Sequence, residues 1–276
     1  MKYDLKAMIQ RSAKVRRKAI VIRDTPMPAV LASDLFASAY RPVLALIDRY
    51  AALAAAEYER SLSALITDSG DDLTNIFERM GQELASLVLL LRPSLRDWTI
   101  KLERQSRRRW SAAVLAATNV SLDTLLGPED VAVPLETALN WNVSLVRDVS
   151  DQARQRIASA VFAGLTNRTP AREVAKQIRD ATGMARSRSL LIASDQTSKL
   201  SATLADERAR QAGISEVIWR SSKKLHARPH HAARDGKLFD LDTHKAIDGS
   251  ETVPAGDWVA QPPWCGCRAQ ASIRFE

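Results

Sequence analysis

The sequence predicts a mainly α protein in two parts, an N-terminal bundle of long helices followed by a small α+β C-terminal domain. Three observations predict it. Alanine and leucine are abundant, while glycine numbers only 10 in 276 residues and aromatics make up 5%, a balance that favours helix over sandwich or barrel. Apolar residues recur at helical spacing from about residue 31 to residue 212, and short strand-like runs replace them only beyond that point. With 46% hydrophobic and 26% charged residues, the chain has enough apolar material for one large or two modest cores.

The first long helix is expected over 31–66. Leu31, Leu35, Val43, Leu44, Ile47, Leu53, Leu62, Leu65 and Ile66 keep helical spacing as far as the breaker Asp68-Ser69-Gly70-Asp71-Asp72, and Pro42 kinks or divides the segment. A second helix follows over 73–91, with Leu73, Ile76, Phe77, Met80, Leu84, Leu87 and Val88 on one side. Arg92-Pro93 ends it, since proline disfavours helical geometry in its predecessor. A third helix spans 94–118. These stripes read as core faces rather than ligand sites.

Between 121 and 134 the pattern lapses, with Leu126-Gly127-Pro128 and Val133-Pro134 as breakers, which sets the expected division at 1–130 and 131–276. Three helices are expected within 141–212. The first carries Leu145, Val149, Ala153, Ile157, Val161 and Leu165 and stops around Gly164 and Asn167; the second opens on Thr169-Pro170 and stops at Gly183; the third runs over 186–212 to Gly213. The end segment, 213–276, then supplies strands at 214–220, 237–241 and near 269–275.

Forty Lys plus Arg against 32 Asp plus Glu give a net charge of +8, spread over both halves. Such a balance permits contact with phosphates or with an acidic protein surface. Arg107-Arg108-Arg109 and Arg16-Arg17 are the candidate nucleic-acid contacts, weighed against ordinary solvated helix faces. Two cysteines one residue apart make no disulfide framework, and no charged segment precedes an apolar one at the N-terminus, so the expected compartment is a reducing cytoplasm. The longest apolar run, at 85–91, is far short of the ~20 residues a bilayer requires, and no membrane partner is expected.

Both cysteines and all four histidines, His226, His230, His231 and His244, fall in the last sixty or so residues. Thiolates and imidazoles are ligands for borderline metals. Cys265, Cys267 and His231, completed by His226, His230 or Asp235, compose a candidate site for one structural zinc. The competing reading is a pair of reduced thiols packed against Trp258 and Trp264. A catalytic reading would use Cys265 or Cys267 with His231 and Asp235 as nucleophile, base and orienter, or His230 and His231 on a nuclease metal; no nucleophile elbow, paired-carboxylate helix or phosphate-binding loop accompanies it. Asp235-Gly236 is a tight-turn signal, and Arg228 is expected to reach a carboxylate such as Asp235 or Asp240.

Trp219, the step Arg228-Pro229-His230-His231, the turn Asp235-Gly236 and the closing Cys265-Gly266-Cys267-Arg268 together resemble the C-terminal domain of the phage Mu F-like minor head proteins, the phage head morphogenesis family. Upstream, Gln211-Ala212-Gly213-Ile214 and Leu191-Ile192-Ala193-Ser194-Asp195-Gln196-Thr197 are similar to that family's helix endings, so the resemblance covers roughly 141–276. Two departures stand out. Ser194 replaces an arginine, and Ser221-Ser222-Lys223-Lys224-Leu225 replaces an acidic run. The resemblance implies a virion protein of the head, made in the host cytoplasm, without turnover, that binds the portal or major capsid protein near packaged DNA. A DNA-binding packaging or ejection module, and a metal-dependent hydrolase or toxin-like effector, are the alternatives.

Overall fold

The computed structural model describes residues 2–12, 17–23, 27–64, 69–225 and 227–275, so Arg16 and His226 lie outside the described residues. The described chain is mainly helical: α1 (Leu5–Ser12), α2 (Ala29–Leu35), α3 (Arg41–Ala64), α4 (Ser69–Leu90), α5 (Arg92–Thr118), α6 (Ala132–Asn167), α7 (Ala171–Gln211) and the short α8 (Pro229–Ala233). Four strands, β1 (Ala19–Val21), β2 (Glu216–Arg220), β3 (Leu238–Asp240) and β4 (Arg268–Arg274), make one antiparallel sheet in the order β1-β4-β2-β3.

Two compact units result. One comprises Met1–Leu31, Thr99–Ala138 and Ser194–Glu276, the other Ala32–Trp98 and Leu139–Ala193. They cut across the division in chain order expected at 130/131, because α1 and β1 at the N-terminal end belong with the C-terminal sheet.

Among its described residues the second unit is helical. Val43, Leu44, Ile47, Tyr50, Ala51, Ala54 and Tyr58 form the buried face of α3, and Leu73, Phe77, Met80, Leu84 and Val88 that of α4, each recurring every three or four residues as an amphipathic helix demands. Pro42 does not break the first of these. A π-helical turn, Phe36–Tyr40, precedes it, with the Arg41 N–H reaching back to the Phe36 carbonyl; the wide turn accommodates the amide that proline lacks. The stretch Ala29–Leu62 is long and apolar enough to pass as a membrane span. Its buried face and its charged residues Asp34, Arg41, Asp48 and Arg49 are those of a core helix with one wet side.

α6 stops at Asn167, as expected, but neither Gly164 nor Gly183 is itself a helix terminus. Gly164 sits inside α6, where an added Cβ would lie 2.7 Å from Val174 Cγ2 and 2.9 Å from Tyr58 Oη; glycine is there for close approach. Gly183 lies inside α7, a single helix of 41 residues where two were expected. One glycine costs a helix only about 1 kcal/mol, and the stripe Val174, Ile178, Ala181, Ala185 runs through it buried. Two helices, not three, therefore precede β2.

In the first unit, β2 alternates between buried and half-buried residues, so that Val217 and Trp219 face the core. β4 runs beside it in a register pairing Trp219 with Ala269, and β1 pairs Ile20 with Ile273. Leu5, Ile22, Val114, Leu122, Trp219, Phe239, Trp258, Cys265 and Cys267 share one core. A charged cluster sits beneath it: Arg208, 1% exposed, donates to Glu103 at 2.8 Å and to the Gly127 carbonyl at 3.2 Å and lies 3.6 Å from Asp130.

Candidate metal centre

Trp219 is the floor of the site. Its ring meets His231 edge-on at 5.1 Å and Trp258 at 5.7 Å, and the Arg234 guanidinium lies over it at 5.2 Å. Pro229 occupies the first turn of α8, where its missing amide costs nothing, and this short helix carries His231 inward to 1% exposure. Asp235 accepts the Ser221 N–H at 2.9 Å, and Gly236, at φ +84°, completes the turn into β3.

The two thiols come from the run of turns before β4. Cys265 N–H donates to the Pro262 carbonyl, and both cysteines are reduced and buried. His231 Nδ1 lies 3.6 Å from Cys265 Sγ and 3.5 Å from Cys267 Sγ. The other ring nitrogen, Nε2, lies 2.8 Å from Asp257 Oδ1. Asp257 is gripped in turn by Arg234 at 2.7 Å. Burial opposes ionisation of Asp257, but the hydrogen bonds from Arg234, His231 and His230 outweigh it and hold the carboxyl well below the usual carboxylate range.

The sulphurs are a coupled pair. The Cys267 S–H donates to Cys265 and draws its thiol well below the usual range, against the opposing effect of burial and with help from the Cys267 and Ala260 amides. The same hydrogen bond, then burial, pushes Cys267 up, and the Ser222 amide and the Trp219 indole oppose this. That indole N–H makes no well-formed hydrogen bond, so its influence on the Cys267 sulphur is electrostatic. The amide donors favour the thiolate, the ligand form, at Cys265, while Cys267 is held as the donating thiol.

The residues fit zinc. Donor atoms of His231, Cys265 and Cys267 lie within 4.8 Å of one another. A tetrahedral ion with Zn–S of about 2.3 Å and Zn–N of about 2.0–2.1 Å separates sulphur from nitrogen by about 3.6 Å, and the two observed separations are 3.5 and 3.6 Å. Asp257 is an orienter of the ligand imidazole, fixing which nitrogen faces the metal, rather than a ligand of this trio. Among the described residues no fourth donor joins the three.

Residues 155–271 match the Phage Mu protein F like protein family. This Mu F-like segment is under half of the chain and contains the whole cluster. An uncharacterized protein of Haemophilus influenzae (strain ATCC 51907 / DSM 11121 / KW20 / Rd) is 30% identical over 99 residues, which is 36% of this chain and 22% of the relative, so the chain spans less than a quarter of that relative's length. No solved structure matches the chain.

Other expected site residues of the Mu F-like segment fall elsewhere. Arg228 donates to the Pro263 carbonyl at 3.2 Å, not to Asp235 or Asp240, both of which are occupied in turns. Trp264 does not cover the thiols; it is 61% exposed, and Trp219 takes the place expected for it. His230 is outward, 3.4 Å from Asp257, and Arg268 opens β4 opposite Arg220. Of the arginines outside the segment, Arg107 is tied to Glu103 at 3.0 Å, Arg108 is exposed, and Arg17 and Arg109 line one cavity of about 730 Å³ beside β1. Asp257, Arg234 and Asp195 were missed. Asp195 lies within the 191–197 helix segment that resembles the family, whereas nothing in the spacing of Asp257 marks it.

Proposed function

We propose that this protein is a structural component of a phage head, bound to the portal or major capsid protein during assembly and DNA packaging or ejection, with residues 155–271 as its Mu F-like module. The family match at those residues carries the reading, because it contains every member of the His231/Cys265/Cys267 cluster. Burial supports a structural role over turnover. Cys265 at 5%, Cys267 at 3% and His231 at 1% exposure leave no room for a substrate at the sulphurs, although the order sulphur, imidazole, carboxylate is that of a nucleophilic triad.

Within that reading, His231, Cys265 and Cys267 hold one zinc that staples α8 to the turns before β4. The ion supplies folding free energy and no chemistry. The chain stays inside the assembled head, and its excess of positive charge tolerates neighbouring DNA.

Antibody detection or mass spectrometry of purified heads tests the assignment. The chain is expected in immature and mature particles at low copy number, and its absence from both would refute the reading. Elemental analysis of the purified protein is expected to give about one zinc per chain.

A further inference from the structure

We infer that the exposed loop bearing Trp264, together with the neighbouring Lys223, Lys224 and Leu225, is a docking surface for a protein partner offering an apolar socket rimmed by carboxylates. This rests on the assembly reading above and names the surface that would make the contact.

Trp264 has two properties that the fold itself does not reward. Its ring is 61% exposed. Its backbone lies at φ +57°, the left-handed region that disfavours any side chain with a Cβ. The conformation is enforced locally: the Trp264 N–H is held by Asp195 Oδ1 at 2.6 Å, the next residue is Cys265 of the candidate metal site, and Arg228 Nη2 grips the preceding carbonyl of Pro263 at 3.2 Å. A large apolar ring held out into water on an over-determined, strained backbone is an anchor for something outside the chain.

The neighbouring turn completes the surface. The Ala227 N–H closes on the Lys224 carbonyl at 3.0 Å, and Leu225, 93% exposed, follows Lys224 in that turn. The turn lies against the same loop, since a Cβ on Gly266 would sit 3.2 Å from Lys224 Nζ. Lys223 and Lys224 are exposed and have no ion pair among the described residues.

Two apolar anchors with cations around them call for an apolar recess with carboxylates at its rim. Nucleic acid would satisfy the lysines and could stack on the indole, but leucine offers no face for a base. Leu225 therefore decides for protein.

The test measures binding of the full chain to purified portal oligomer and to empty head shells of the same phage, with Trp264→Gly, Leu225→Ser and Lys224→Glu beside wild type. Each of the first two is expected to weaken binding by roughly 10-fold or more, as truncated interface anchors do. Lys224→Glu should weaken it less and make the residual binding less sensitive to salt. Trp264→Gly should keep or raise the melting temperature, because glycine accepts the positive φ.

Wild type binding neither portal nor shells would defeat the assembly reading itself, and this surface with it. Wild-type affinity in both Trp264→Gly and Leu225→Ser would overturn the surface alone. So would a loss of binding accompanied by a clear fall in melting temperature, which marks a structural tryptophan, or an oligothymidine affinity that depends on Trp264 while portal binding does not.

Discussion

The helical unit built from residues 32–98 and 139–193 and the sheet-bearing end of the other unit are held together by different physics. In the first, apolar side chains recur every three or four residues on long helices, and burial of Tyr58, Met80, Trp98 and Ile157 follows from period alone. In the second, strands of seven, five, three and three residues share one apolar core with α1 and α5, but beside α8 the packing is not aliphatic. Sulphur, imidazole, indole and charge fill the space instead. Stability in the first region is spread over many interchangeable contacts, while in the second it is concentrated in a few groups that each need a particular partner.

Chelation should give the largest effect. On the zinc proposal, stripping the ion from the purified protein would remove on the order of 10 kcal/mol of binding free energy from the sheet end, and the near-ultraviolet circular dichroism of Trp219 and Trp258 would collapse with it. An unchanged spectrum would show that packing alone holds these rings. Next is the charge beneath the sheet. Arg208→Ala removes one of the two guanidinium partners of Glu103 and leaves Arg107 at 3.0 Å; it should cost about 1.5–3 kcal/mol in denaturant unfolding, whereas Arg208→Met, with Glu103→Gln beside it, should cost less.

Asp257→Asn is expected to cost about 1.5–3 kcal/mol near neutral pH by weakening hydrogen bonds to a charged group. The folded carboxyl is depressed, so its stabilisation is complete above the unfolded value of about 3.9 and is lost as pH falls through that value towards the folded one. Wild type and variant should therefore converge in melting temperature below about pH 4; a constant gap would mean the contribution is not ionic. Smallest are two glycines in the helical region. Gly164→Ala should destabilise by about 1–3 kcal/mol through overpacking against Val174 and Tyr58, while Gly183→Ala, with open space around it, should stabilise by about 0.5–1 kcal/mol. Equal responses would contradict the different roles assigned to them.

The same contrast governs how much the sequence disclosed. The stripes of α3, α4 and α6 were legible because helix periodicity is local. The convergence of Cys265, Cys267 and His231 was legible from ligand chemistry and family wording. Gly183 misled because an isolated glycine is a punctuation mark only where tertiary packing does not override it. The π turn at 36–40 left no residue pattern beyond Pro42. β1 was invisible for a different reason: Ala19-Ile20-Val21-Ile22 is a plain β-branched run, and nothing nearby in sequence says that its partner lies some 250 residues on, at Ser272 to Arg274. Asp257 was likewise one acid among many until His231 and Arg234 closed on it.

The position of β4 between β1 and β2 sets an order of events during synthesis. Neither neighbour can find its main partner until the ribosome has passed residue 274. At roughly 5–20 residues per second, the first strand waits on the order of tens of seconds with its amides and carbonyls unsatisfied by the sheet. The helices between them can form as they emerge, so the nascent chain is a set of rods whose two distant ends are joined last.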